Sequence, residues 1–124
     1  MIIKALIPCT RFEVDPDSNT RNILGAFNSL TSARFPCSPP WDLYVRLTEH
    51  MGPLELNLRV ACLDDGREIA TGIITHPPIQ DPVHEYDFAT PAGEQITFPA
   101  PGLYEIQLSG HGAVGQTLLR VQGA

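Results

Sequence analysis

Leu54-Glu55-Leu56-Asn57-Leu58-Arg59-Val60-Ala61-Cys62 is the stretch that decides the fold. In an extended chain, successive side chains point to opposite sides, so Leu54, Leu56, Leu58, Val60 and Cys62 share one face and Glu55, Asn57, Arg59 and Ala61 the other. A helix would scatter the same leucines around its whole circumference. The stretch therefore reads as a half-buried β-strand. Asp64-Asp65-Gly66 follows at once, and an Asp-Gly pair between strand-like runs marks a hairpin because glycine accepts a positive φ without steric cost. The return strand is expected over Arg67 to Thr75.

The same two-residue period appears upstream. Over Trp41 to Thr48, Leu43, Val45 and Leu47 alternate with Asp42, Tyr44, Arg46 and Thr48. Near the C-terminus Tyr104, Ile106 and Leu108 alternate with Glu105 and Gln107, and Leu119 and Val121 flank Arg120, so a last hairpin should turn around Gly110 to Gly115. Further strand-like runs are Ile2 to Pro8, Ile23 to Leu30, His84 to Ala89 and Gln95 to Phe98. Phe12 to Arg21 is polar and reads as a loop joining the first two strands. Pro36, Pro39, Pro40, Pro53, Pro77, Pro78, Pro82, Pro91, Pro99 and Pro101 fall between the runs, where a missing N–H is tolerated, and mark loops. No amphipathic helix is found.

Seven to nine short strands in 124 residues give a single domain over 1–124. The class is all-β, an antiparallel two-sheet sandwich of immunoglobulin-like or related Greek-key type. A chain of this length buries enough surface for one core.

The formal net charge of −6 and the pI near 5.0 disfavour a nucleic-acid backbone or an anionic membrane as partner. The basic residues are scattered, with Lys4 the only lysine, and form no tract. Cys9, Cys37 and Cys62 are odd in number and widely spaced, which is a poor disulfide framework and points to a reducing cytoplasm. Met1 to Ile7 is apolar but too short for a signal-peptide core, and no run approaches the roughly 20 apolar residues that span a bilayer.

Two local patterns look familiar. A hydrophobic first strand ending in Cys9, then Asn22-Ile23-Leu24-Gly25-Ala26-Phe27, the Leu63-Asp64-Asp65-Gly66 hairpin and a late Pro101-Gly102-Leu103-Tyr104 segment resemble a family of small uncharacterised bacterial β-sandwich proteins. That resemblance covers nearly the whole chain and implies no activity. The Pro-Gly-x-Tyr segment is also similar to the last strands of many immunoglobulin-like domains, where the tyrosine packs near a corner. Ile106 stands where antibody domains carry a cysteine, so no inter-sheet disulfide is implied. Likeness of fold does not transfer function.

Chemistry is sparse. His50, His76, His84 and His111 sit at expected loops or strand edges and form no H-x-H or H-E-x-x-H spacing, and the cysteines form no C-x-x-C. Cys9 and Cys62 end apolar strands and read as small buried hydrophobes. Cys37, between Pro36 and Ser38, is the more exposed thiol. Asp64 and Asp65 lack the ligand series of a calcium loop. Asp81, Glu85 and Asp87 read as solvated edge charges. Gly110, Gly112 and Gly115 lack the helix that a phosphate loop needs. Ser29, Ser32, Ser38 and Ser109 lie in no nucleophile elbow.

No catalytic residue, cofactor or metal-ligand set is therefore expected, and the chain reads as a non-enzymatic binding or assembly module acting through protein contacts. Outward apolar residues on both sides of one strand, Ile69 and Ile73 opposite Ala70 and Ile74, ask for cover that a partner protein or a second copy could supply. Trp41 and Tyr44 are the candidate contact residues, Tyr44 because it falls on the polar side of its strand. The competing readings are a carbohydrate binder through Trp41 and Tyr44, a soft-metal binder through cysteine and histidine, and a hydrolase built around His84 and Asp87.

Overall fold

The computed structural model describes residues 1–93 and 95–124. Nine strands are found among them: β1 Ile2–Val14, β2 Arg21–Ala26, β3 Ser29–Ser32, β4 Asp42–Thr48, β5 Gly52–Cys62, β6 Glu68–Ile79, β7 Tyr86–Pro91, β8 Gly102–Gly110 and β9 Ala113–Gly123. They form a four-stranded sheet in the order β2-β1-β4-β7 and a five-stranded sheet in the order β3-β9-β8-β5-β6. The chain changes sheet at β2–β3, β3–β4, β4–β5, β6–β7 and β7–β8, so only the β1–β2, β5–β6 and β8–β9 connections are hairpins. All pairings are antiparallel except β3 with β9, which run parallel and make the larger sheet mixed.

The two alternating stretches that decide the fold line the core. Leu43, Val45 and Leu47 of β4 face Leu54, Leu56 and Val60 of β5, Ile106 and Leu108 of β8, and Leu119 and Val121 of β9, all buried. Each such side chain is worth roughly 1.5–3 kcal/mol of hydrophobic stabilisation when fully buried. Ile96 and Phe98, from the β7–β8 connection, fill the same core. Gly115 of β9 faces inward against Ile3, and a Cβ there would lie 2.7 Å from Ile3 Cγ2. The Tyr104 hydroxyl, at the start of β8, donates to the Ala100 carbonyl at 2.6 Å and ties strand to incoming turn.

Several boundaries differ from the sequence expectation. The first strand runs past Pro8 to Val14, because Arg11 to Val14 pair with Arg21 to Leu24, and only Asp15 to Thr20 remain as loop. Ile23 to Leu30 is two strands in different sheets. Gln95 to Phe98 is no strand: its ladder contact is the single Cys37–Phe98 bridge. Pro53, Pro77, Pro78 and Pro91 lie within strands rather than between them. Pro77, Pro78 and Pro91 are on the edge strands β6 and β7, and Pro53 sits at a register shift near the start of β5, all places where a missing N–H breaks no ladder. The final turn is tighter than expected: His111 and Gly112 both take positive φ, 49° and 76°, the geometry of a two-residue hairpin turn.

Candidate functional site

Tyr44 lies on the outer side of β4, as its place in the alternation requires, yet it is only 2% exposed. The cover comes from the β1–β2 hairpin. Gly25, at φ +63°, lets Thr10 approach so closely that a Cβ would lie 2.5 Å from its Oγ1, and beyond this point β1 leaves β4. The far half of the hairpin then lies against the outer face of the four-stranded sheet. The Phe12 ring sits 5.3 Å from that of Tyr44, and the Arg21 guanidinium passes 5.8 Å from the Phe12 ring. Arg21 Nε donates to Asp87 Oδ1 of β7 at 2.6 Å, and the Tyr44 hydroxyl donates to Asp87 Oδ2 at 2.9 Å.

Asp87 is the hub of this cluster, with a side chain 11% exposed. Burial alone would raise its pKa, but the hydrogen bonds from Arg21 and Tyr44 and the charges of Arg21 and Arg46 outweigh that and lower it. Burial first, and the bond to Asp87 second, raise the Tyr44 phenol. Both carboxylate oxygens of Asp87 are thus taken within the cluster, which works as a clasp holding the hairpin down, with Arg21 on its solvent side. Trp41 is 3% exposed, edge-on to Phe27 with ring centroids 6.0 Å apart. Neither aromatic offers a free ring face for a sugar to stack on, which corrects the expected exposure of Tyr44: its strand's outer side is roofed, not solvated.

The remaining sequence candidates are dispersed. His84 Nδ1 lies 3.5 Å from Asp81 Oδ2, while Asp87 is taken by Arg21 and Tyr44, so His84 and Asp87 do not pair with each other. His50 and His111 do meet, with ring centroids 4.3 Å apart; His50 Nε2 bonds the Pro53 carbonyl and His111 Nε2 accepts from the Glu55 N–H. Those bonds occupy one nitrogen of each ring in joining two turns. Among the described residues no three of His, Cys, Asp and Glu converge as a metal site. Cys9 and Cys62 are buried and Cys37 half-buried, and burial, helped by Asp42, raises the Cys9 thiol. Asp65 accepts from the Arg67 N–H across the hairpin turn, and Asp64 Oδ2 accepts from the Leu103 N–H. Both are thus occupied in turns.

What stays open is the other sheet. On the outer face of β5, β6 and β8, Asn57, Arg59, Thr71, Ile73, Gln107 and Ser109 line a groove of about 670 Å³. Ile73 stands at its rim, 64% exposed. Ile73 belongs to β6, an edge strand, and the run Ile69-Ala70-Thr71-Gly72-Ile73-Ile74-Thr75 carries no charge and no proline. Gly72 faces the interior opposite Leu58, and nothing lies within 4 Å of where its Cβ would be. A smaller cavity of about 110 Å³ therefore opens at the seam between the sheets, bordered by Leu58, Gly72, Ile74, Ala92 and Ile96. The sequence signalled Ile73 through its two-sided apolar strand. It did not signal Asn57 and Gln107, which read only as the polar side of their strands, or Ser109, which drew notice only as a hydroxyl outside any nucleophile elbow.

This geometry, an all-β sandwich with a first strand through Cys9, the bend at Gly25 and the corner at Tyr104, runs through the whole chain. The chain belongs to the DUF6941 family, a family of unknown function, whose profile covers residues 4–122. The DUF6941 match thus takes in all nine strands, in whole or in part. No curated protein and no solved structure matches the chain. Among the described residues of this DUF6941 chain, no helix is long and apolar enough to cross a membrane.

Proposed function

We propose that the domain is a non-enzymatic binding or assembly module that acts through protein–protein contacts, and that its contact surface is the β5–β6 side of the five-stranded sheet. One observation carries this reading: an edge strand whose run Ile69 to Thr75 carries no charge and whose central isoleucine, Ile73, is 64% exposed beside an open groove. Natural edge strands are normally blunted by lysine, proline or an inward charge, because their free N–H and C=O groups otherwise recruit another strand. Here Pro77 and Pro78 blunt only the C-terminal end of β6. Ile69 to Thr75 are left open, and a strand of such composition persists when a partner covers it.

The all-β sandwich, with the β1–β2 hairpin as a roof over one sheet and the other sheet left for contacts, supports this reading and is compatible with an immunoglobulin-like assignment. A protein partner is favoured over a small ligand because the groove is open and lined by amide, hydroxyl and aliphatic groups, its one guanidinium, Arg59, being paired with Glu68. The test is retention of a protein from lysate of the source cells by immobilised wild-type chain but not by Ile73→Lys. Equal retention by both, or by neither, refutes this surface as the contact site.

A further inference from the structure

We infer that the occupant of the β6 edge is a second copy of this chain, paired antiparallel about a twofold axis at Ile73, so that two five-stranded sheets join into one. This rests on the reading of β6 as the contact surface and names its partner.

The register follows from three features of the strand. First, opposite residues of a sheet share a face, so a twofold pairing centred on Ile73 sets Gly72 against Ile74 of the partner subunit, both on the core side. The vacant space over Gly72, bordered by Leu58 and open to the small seam cavity, then receives an isoleucine, and the twofold repeats the fit. A pairing centred on Gly72 would put two glycines together and double the gap. A shift by a single residue would set a core-side row against a solvent-side row.

Second, the same register brings no like charges together. Arg59 pairs with Thr71 and Glu55 with Thr75 within the subunit, and Arg59 is held by Glu68 Oε2 of its own subunit at 2.7 Å. With Thr71 opposite Thr75 of the partner subunit, Arg59 and the partner subunit's Glu55 stand on either side of the junction, two strands apart. Between them the strand contributes only uncharged residues, so the net charge of −6 per chain has no focus at the junction.

Third, the ladder ends where its donors end. Ala70 to His76 pair with themselves about Ile73, and the next residue, Ile69, meets Pro77 of the partner subunit, which has no N–H. Seven residues give a ladder of about 23 Å. The most exposed isoleucine of the described residues meets its own copy at the axis and leaves water. Strand pairing alone buries less than the roughly 1,000 Å² of a permanent interface, so the dimer is weak and concentration-dependent.

The experiment is disulfide trapping in a Cys37→Ser background, with sedimentation of the uncrosslinked proteins. Opposed residues lie about 4.5–5.5 Å apart at Cα, within disulfide reach. Ile73→Cys should trap a covalent dimer under mild oxidation. Thr71→Cys alone should not, and the double variant Thr71→Cys, Thr75→Cys should. Gly72→Val, whose Cβ meets open space in the monomer, should stay folded yet raise the dissociation constant about tenfold by filling the space that the partner's Ile74 enters. Trapping at position 71 alone, or a wild-type chain that sediments as a monomer at every concentration, overturns the inference. If such a monomer still retains a different protein through Ile73, the contact surface stands and only its occupant is wrong; if Ile73→Lys changes nothing in either experiment, the surface itself fails.

Discussion

Replacing Asp87 with alanine would strip the acceptor from the hydroxyl of Tyr44, a residue only 2% exposed, and from Arg21 as well. Leaving a buried donor unpaired costs about 1–3 kcal/mol, so urea unfolding of Asp87→Ala should show a loss in that range. The clasp also fixes the pH behaviour. The folded Asp87 has a lowered pKa, so its contribution is present above the ordinary aspartate range and disappears as pH falls through the lower folded value. The phenols of Tyr44 and Tyr104 are raised, chiefly by burial. Their contribution is complete below about pH 10, the ordinary tyrosine value, and is lost as pH rises through the folded values. Stability measured against pH should therefore fall at both extremes, and Asp87→Asn should flatten the acid limb.

Glycine at position 25 is the hinge on which the first hairpin depends, since both its positive φ and the nearness of Thr10 exclude a side chain. Gly25→Ala should destabilise by about 1–2 kcal/mol, the cost of forcing an alanine into the left-handed region, and should raise the exposure of Tyr44 to quenchers. The same element shows where sequence reading ends. Leu43, Val45 and Leu47 disclose the buried side of β4 because strand period is a local property. The burial of Tyr44 is decided by a hairpin whose own residues, Arg11 to Thr20, are mostly exposed and, apart from Phe12, Val14 and Pro16, polar, and whose tether is a contact between Arg21 and Asp87 sixty-six residues apart. Nothing within either strand announces it. Gln95 to Phe98 misled for the opposite reason: Ile96 and Phe98 alternate like a strand because they plug the core from a connection, with one bridge in place of a ladder. Ile73 was legible because apolar residues on both sides of β6 cannot all be inward. At β8, Tyr104→Phe removes the bond to Ala100 and should cost about 1 kcal/mol by thermal unfolding, without altering the sheets seen by circular dichroism.

Across the whole molecule the two sheets divide the work. The four-stranded sheet spends its outer polar groups on itself, through Arg21, Tyr44 and Asp87 and through Lys4 with Glu85 at 2.7 Å. The five-stranded sheet ties Arg59 to Glu68 at one end of its edge and leaves Ile69 to Thr75 uncharged and Ile73 exposed, which favours that edge over Trp41 and Tyr44 as the proposed contact surface. The most direct measurement is amide hydrogen exchange of the segment Ala70 to His76 in dilute and in concentrated protein. Fast exchange of the amides that point away from β5 when dilute, slowing as concentration rises while the core strands β4 and β8 stay unchanged, is the predicted result; exchange of those amides that is the same at both concentrations would contradict pairing of the edge with a second copy.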